Sequence, residues 1–282
     1  MTTRNSDADR PAVIIAAAPT GAHKSRADFP TLPVAADDIA DEAYQCMRSG
    51  ASMLHLHVRD RLGRHSLDAG LYREAVAAVR SRCGDGILIQ ATSEQAGVYD
   101  TRSQIEAIHA IEADFLSISI TEILAEHTQA DLNRAAELFA ELSSSGTTVQ
   151  VILYSAEQLE MWKSLKTRGL VPDKRTPLLF VLGRYHASRQ SSPQDLTPFL
   201  EACPPADDPW MVCAFGAREI ECMRFAVAQG GHVRVGFENN TLRPDGAGLS
   251  GTAESVRLTA SALRADGFRI ADVNDARRLL LR

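Results

Sequence analysis

Two histidines stand two residues apart in Met53 to Asp60, Met-Leu-His-Leu-His-Val-Arg-Asp, and a strand would turn both toward one side. Side chains alternate across a β-strand, so Met53, His55 and His57 face one way and Leu54, Leu56 and Val58 the other. Residues two apart on a strand lie roughly 6 to 7 Å apart, which suits two ligands of one metal ion. The competing possibility is a pair of imidazoles alternating at a surface or hydrogen-bonded within a core. The stretch holds no Lys or Glu and its second face is apolar, so it reads as buried on both sides. Two unpaired imidazoles are costly there, and that cost favours a bound ion.

The elements that must position these residues repeat along the chain. Val13 to Ala17 is a short apolar run closed by Pro19-Thr20-Gly21, and Asp37 to Ser49 follows with Ile39, Ala43, Cys46 and Met47 at helical spacing before Gly50. The histidine strand comes next, then a helix with Leu71, Tyr72, Ala75, Val76 and Val79 on one face. Further strands are expected over Ile87 to Ala91, Phe115 to Ile118, Thr148 to Leu153, Leu178 to Leu182, Trp210 to Ala214 and His232 to Phe237. Helices are expected over Ser103 to Glu112, Asp131 to Ser143, from a Ser155/Gln158 capping box to Arg168, Gln194 to Ala202, Arg218 to Gln229, and from a Thr252 cap to Asp266. A short helix starting at Asn274 ends the chain. Eight alternations without a Gly-x-Gly-x-x-Gly at the first helix favour an α/β fold of the closed (β/α)8 TIM-barrel type over a doubly wound sheet. Residues 1–11 read as a disordered lead-in and 12–282 as one barrel domain.

Barrel enzymes build their sites at the C-terminal ends of the strands. Polar residues gather there: Thr20 and His23 after strand one, Thr92, Ser93 and Glu94 after three, Ser117 and Ser119 on four, Tyr154 after five, Arg184 and His186 after six. Strand eight gives Arg234, Glu238, Asn239 and Asn240. Strand ends that merely meet solvent account for part of this pattern. Strands one and eight close a barrel and strand two is one position further round, so Glu238 is the best third ligand. Two imidazoles and a carboxylate leave open positions on the ion, as catalysis requires; Zn²⁺ is the default, with Fe²⁺ and Mn²⁺ compatible with the same ligand types. Arg234 would fix a substrate anion or pair with a neighbouring carboxylate.

The 282 residues carry 30 Lys+Arg against 36 Asp+Glu, a formal net charge of -6. That balance argues against a general nucleic-acid or membrane-surface role. No apolar run suggests a transmembrane helix, and the polar, mixed-charge start does not read as an export signal. Cys46, Cys83, Cys203, Cys213 and Cys222 never form a Cys-x-x-Cys pair and read as reduced, mostly buried thiols of a cytoplasmic protein.

Ala-Pro-Thr-Gly-Ala (18 to 22), Gly50-Ala51-Ser52 leading into His-Leu-His-Val-Arg-Asp (55 to 60), Leu88-Ile89-Gln90-Ala91-Thr92, Phe180-Val181-Leu182-Gly183 and Gly-Gly-His-Val-Arg-Val-Gly-Phe-Glu-Asn-Asn (230 to 240) resemble the β-keto acid cleavage enzymes, the 3-keto-5-aminohexanoate cleavage enzyme family. The resemblance runs from Val13 over nearly the whole chain. It implies a Zn²⁺-dependent barrel, commonly a homotetramer, that exchanges carbon units between a β-keto acid and acetyl-CoA to give acetoacetate and a new acyl-CoA. It implies His55, His57 and Glu238 as zinc ligands, Arg234 as the catalytic arginine, and substrate-binding hydroxyls at Thr92 or Ser93 and at Ser117. Three departures stand out. His23 replaces a Glu after Thr-Gly-Ala, Asn239 replaces the Asp after the ligand Glu, and Gly183-Arg-Tyr-His-Ala-Ser-Arg189 replaces a Gly-rich loop. Asn239 removes a carboxylate paired with the arginine, so His23 is the expected substitute for proton transfer or a partner for an anionic substrate group. The departures also open two other readings: a metal-dependent lyase, aldolase or hydrolase without CoA, and a metabolite-binding relative with weakened catalysis.

Overall fold

The computed structural model describes residues 11–126, 128–183 and 190–281. The expected lead-in up to residue 10 and the strand-six loop residues Arg184 to Arg189 lie outside them. Eight strands pair in parallel and close on themselves: β1 (Ile15–Ala17), β2 (Met53–Leu56), β3 (Leu88–Thr92), β4 (Phe115–Ser119), β5 (Thr148–Leu153), β6 (Leu178–Val181), β7 (Trp210–Cys213) and β8 (His232–Val235). Helices follow in turn: α1 (Ala36–Ser49), α2 (Ala69–Cys83), α3 (Thr101–Ile111), α4 (Gln129–Ser144), α5 (Ala156–Thr167), α6 (Thr197–Glu201), α7 (Glu219–Ala228) and α8 (Thr252–Ala265). This is the TIM barrel that the strand–helix alternation predicts.

The strands have two buried faces, which is why they read as short apolar runs. One hydrophobic cluster fills the space between strands and helices, with Ile15, Leu54, Leu116 and Phe180 on the strand side and Ile39, Tyr72, Leu138 and Trp162 on the helix side. A smaller one, including Ala16, Met53, Leu88, Phe115, Leu179 and Met211, comes from the alternate strand positions and fills the barrel. Ala276 and Leu280 of the C-terminal helix Val273–Leu280 join that inner cluster and close the floor. The mouth at the opposite end is left to the polar residues.

Local corrections have local causes. The apolar run from Val13 to Ala17 serves two sheets: Ala12–Val13 pairs with Arg269–Ile270, and only Ile15–Ala17 enters the barrel. The histidine strand ends at Leu56, and Val58–Arg59 turns off to pair antiparallel with His65–Ser66. β8 stops at Val235 rather than Phe237, because Gly236 takes φ +137° and a Cβ there would lie 2.5 Å from the Ala18 carbonyl oxygen. Thr252 is the first helical residue of α8 and not its cap; its hydroxyl instead accepts from the Phe237 amide at 3.1 Å. The Ser155/Gln158 capping box does not form, since Gln158 reaches one residue further back and accepts from the Tyr154 amide at 2.7 Å.

Candidate active site

His55 lies beside Gln90 in the register of β2 and β3, so both side chains point into the barrel mouth together. The His55 Nδ1 and the Gln90 Oε1 are 2.8 Å apart, and the Gln90 amide nitrogen donates to Gln150 Oε1 at 3.0 Å. With its nitrogen committed, Gln90 offers its oxygen. That assigns the proton to Nδ1 of His55 and leaves the Nε2 lone pair facing inward. Burial pulls the His55 pKa down to about 3, with Arg234 and His57 adding to the effect against Glu238 and Gln90. The neutral ring is the ligand form.

His57 follows the end of β2 and is 1% exposed, yet neither of its ring nitrogens has a hydrogen-bond partner among the described residues. Its ring stands edge-on to His55 with centroids 5.0 Å apart. Glu238 arrives from the turn after β8, where its amide donates to the Ala18 carbonyl at 3.0 Å. Its Oε2 stands 3.4 Å from Nε2 of both His55 and His57 and accepts no hydrogen bond among the described residues. Donors about 2.0 to 2.1 Å from a tetrahedral ion stand about 3.3 Å from one another. The two histidine–glutamate separations match that edge, and all three donors lie within 4.8 Å of each other. The set therefore fits a metal ion, and the orphaned His57 nitrogen and Glu238 oxygen are what such an ion would satisfy.

Arg234, the penultimate residue of β8, is 3% exposed. Its Nη2 donates to Glu238 Oε1 at 2.9 Å and to Asn239 Oδ1 at 3.4 Å, while Nε and Nη1 find no acceptor among the described residues. Burial opposes the Glu238 charge, but Arg234 first and then His55 and His57 hold its carboxyl well below the usual range. The net arrangement is a buried cation and a buried carboxylate beside two imidazoles, with His55, Arg234 and Glu238 lining one small cavity. Thr92, Ser117, Ser119, Tyr154 and Phe215 form part of its wall, together with the carboxylates Glu94 and Glu122. The Ser117 hydroxyl is buried without a partner among the described residues. Ser93 is absent from that wall: its hydroxyl donates to the Ser117 carbonyl at 3.1 Å and receives the Gln104 amide.

His23 stands at the rim, with 54% of its side chain exposed, and its Nε2 is 3.5 Å from Glu94 Oε1. The other Glu94 oxygen is 3.6 Å from His57 Nε2. Burial pushes the Glu94 carboxyl up, but the His23 hydrogen bond and the nearby imidazoles outweigh it and bring the pKa to about 2. Glu94 thus joins His23 to the metal-type cluster. It sits among the strand-end polar residues, but nothing in its spacing singles it out for this role.

Behind the Glu238–Asn240 turn lies Glu219, 2% exposed, accepting from Asn240 Nδ2 and Ser255 Oγ, each at 3.0 Å. Burial raises its pKa to about 7 despite those two bonds. A carboxyl with a folded pKa above its unfolded value stabilises fully below the unfolded pKa and loses that contribution as pH rises through the folded one. Glu219→Gln should therefore flatten the decline in stability between about pH 4.5 and 7. Chemical denaturation at several pH values checks this; an unchanged slope would contradict it.

A family model described as beta-keto acid cleavage enzyme matches residues 12–281. The chain belongs to that family. It is accordingly an enzyme that cleaves carbon–carbon bonds, of the lyase or transferase kind. A 3-keto-5-aminohexanoate cleavage enzyme of Fusobacterium nucleatum is 27% identical over 95% of this chain and 97% of its own length. A 3-dehydrocarnitine:acetyl-CoA trimethylamine transferase of Rhizobium meliloti is 24% identical over 95% of this chain and 96% of its own. Among solved structures, the ternary complex of ObcA with a C4-CoA adduct and oxalate superposes with TM-score 0.68 at 17% identity, covering 89% of this chain and 67% of that one. This last likeness speaks to the barrel fold alone. No described helix is long and apolar enough to cross a membrane.

Proposed function

We propose that this chain is a zinc-dependent β-keto acid cleavage enzyme that condenses a β-keto acid with acetyl-CoA, giving acetoacetate and a new acyl-CoA. The observation that carries the reading is the convergence of His55, His57 and Glu238 beside the buried Arg234, in a chain of this family. Acetyl-CoA as co-substrate is supported by relatives named as transferases that act with it, the 3-dehydrocarnitine:acetyl-CoA trimethylamine transferase among them. Zn²⁺ suits the two imidazoles and one carboxylate, and Fe²⁺ or Mn²⁺ are the alternatives.

In the exchange, the proton on C2 of the keto acid leaves, C2 bonds the thioester carbonyl carbon, and the CoA thiolate departs. The thiolate then adds to the original ketone carbon, the bond from C2 to that carbon breaks, and C2 takes a proton back. The bound ion supplies Lewis-acid stabilisation of oxygen charge. The chain's own residues do the rest. The Nε and Nη1 groups of Arg234 aim two donors at a substrate oxygen anion, with Asn239 and Glu238 fixing the guanidinium. Thr92 and Ser117 orient the substrate through their hydroxyls from the cavity wall. Asn239 cannot accept a proton, so His23, steadied by Glu94, takes it. The enzyme works in the cytoplasm as a homo-oligomer, a tetramer by family likeness, which light scattering checks.

Carbonyl-labelled acetyl-CoA tests the exchange: its label should appear in the ketone carbon of acetoacetate and not in the new acyl-CoA. Label retained in the CoA product would contradict the scheme. His23→Ala and His23→Gln should each lower kcat and alter the pH profile between 5 and 9, with Asn239→Asp restoring rate. Wild-type rates and profile in both variants would remove His23 from the mechanism.

A further inference from the structure

The motif that carries the two histidines continues into Arg59, which lies outside the cavity wall but only 6% exposed. Its guanidinium makes no ion pair within 4 Å among the described residues. Its hydrogen bonds all go to backbone carbonyls: Nε and Nη2 to Gly21, Nη2 also to Lys24 at 3.0 Å, and Nη1 to Gly63 at 2.9 Å. One planar fork thereby ties the loop after β1 to the hairpin after β2.

That loop is the wall against which Glu238 rests. Gly21 takes φ +63°, and a Cβ on it would lie 2.7 Å from Glu238 Cγ. On the far side of the same loop, Lys24 Nζ donates to the Glu238 carbonyl at 2.7 Å. His23 stands between these two anchors, facing Glu94. The backbone of 21–24 is thus held by Arg59 on one side and packs directly on the glutamate on the other.

We propose that Arg59 is a positioning residue of the metal site, holding the Gly21–Lys24 backbone so that Glu238 meets His55 and His57 at ligand distance. The inference rests on the metal reading above. Its action is indirect, through the loop, so it should change affinity and ligand geometry without abolishing the site. Truncating a supporting partner of a metal ligand typically weakens binding about 10- to 100-fold.

Zn²⁺ affinity, measured by competition with a chromophoric chelator, is the test, together with the visible spectrum of the Co²⁺-loaded protein. Arg59→Met should bind Zn²⁺ about 10-fold or more weakly and shift the Co²⁺ bands. Arg59→Lys keeps the charge but not the fork, and should fall between Met and wild type. Should Arg59→Met fail to fold, the Lys variant decides alone. Wild-type affinity and an unshifted Co²⁺ spectrum in the folded variants would overturn the inference while leaving the metal reading intact. A wild-type chain that takes up neither ion would sink the metal reading and this inference with it.

Discussion

Replacing His57 by alanine is expected to empty the site of metal and to lower kcat/KM by roughly 10²-fold or more, while the barrel stays folded. The imidazole is buried with neither nitrogen hydrogen-bonded among the described residues, so its removal takes no hydrogen bond from the fold. The side chains that close the barrel belong to two hydrophobic clusters that do not include it. Loss of one of three donors removes a third of the ligand set and leaves His55 and Glu238 facing each other at 3.4 Å. Metal content by elemental analysis should fall from about one ion per chain toward zero. The metal-free forms of variant and wild type should melt within a few degrees of each other. A metal-free wild type whose His57→Ala variant keeps full activity would end the metal reading.

The second large effect is expected at Arg234. Arg234→Gln removes the charge that does most to offset the burial of the Glu238 carboxylate. Breaking a buried pair by removing one partner typically costs about 3 to 5 kcal/mol, and the same change removes the donors aimed into the cavity. In the metal-free protein the pH dependence has a definite sign. The Glu238 carboxyl is depressed in the folded state, so its stabilisation is present above the ordinary carboxylate pKa of 4.5 and is lost as pH falls below it. With Arg234 gone the depression shrinks, and the variant should lose less further stability on acidification. Arg234→Lys should recover part of the stability and little of the rate, since a point charge does not reproduce the planar fork. Chemical denaturation with parallel kinetics checks both; a variant as stable and as active as wild type would contradict this role.

The barrel was legible because each strand is buried on both faces and each is a short apolar run followed by an amphipathic helix. Element ends were less so. The end of β8 is set by how closely Gly236 approaches Ala18, and the hydroxyl of Thr252 is committed to Phe237, contacts between residues far apart in the chain. The same division runs through the site. His55 and His57 announce themselves by spacing, and Glu238 follows from barrel closure. Gln90, Glu94 and Arg59 do not, because their parts depend on strand register and on how the loop after β1 packs. Arg59 stands within the histidine motif, yet its partners are carbonyls up to 38 residues away.

The proposed exchange of a β-keto acid with acetyl-CoA depends on the bound metal. Acetoacetate formation, followed over a panel of β-keto acids with metal-loaded and metal-stripped protein, each with and without acetyl-CoA, tests it most directly. Acetoacetate is expected only where the metal, a keto acid and acetyl-CoA are all present, with rate restored on adding Zn²⁺ back. Turnover of a keto acid without acetyl-CoA, or equal rates from stripped and loaded protein, would contradict it.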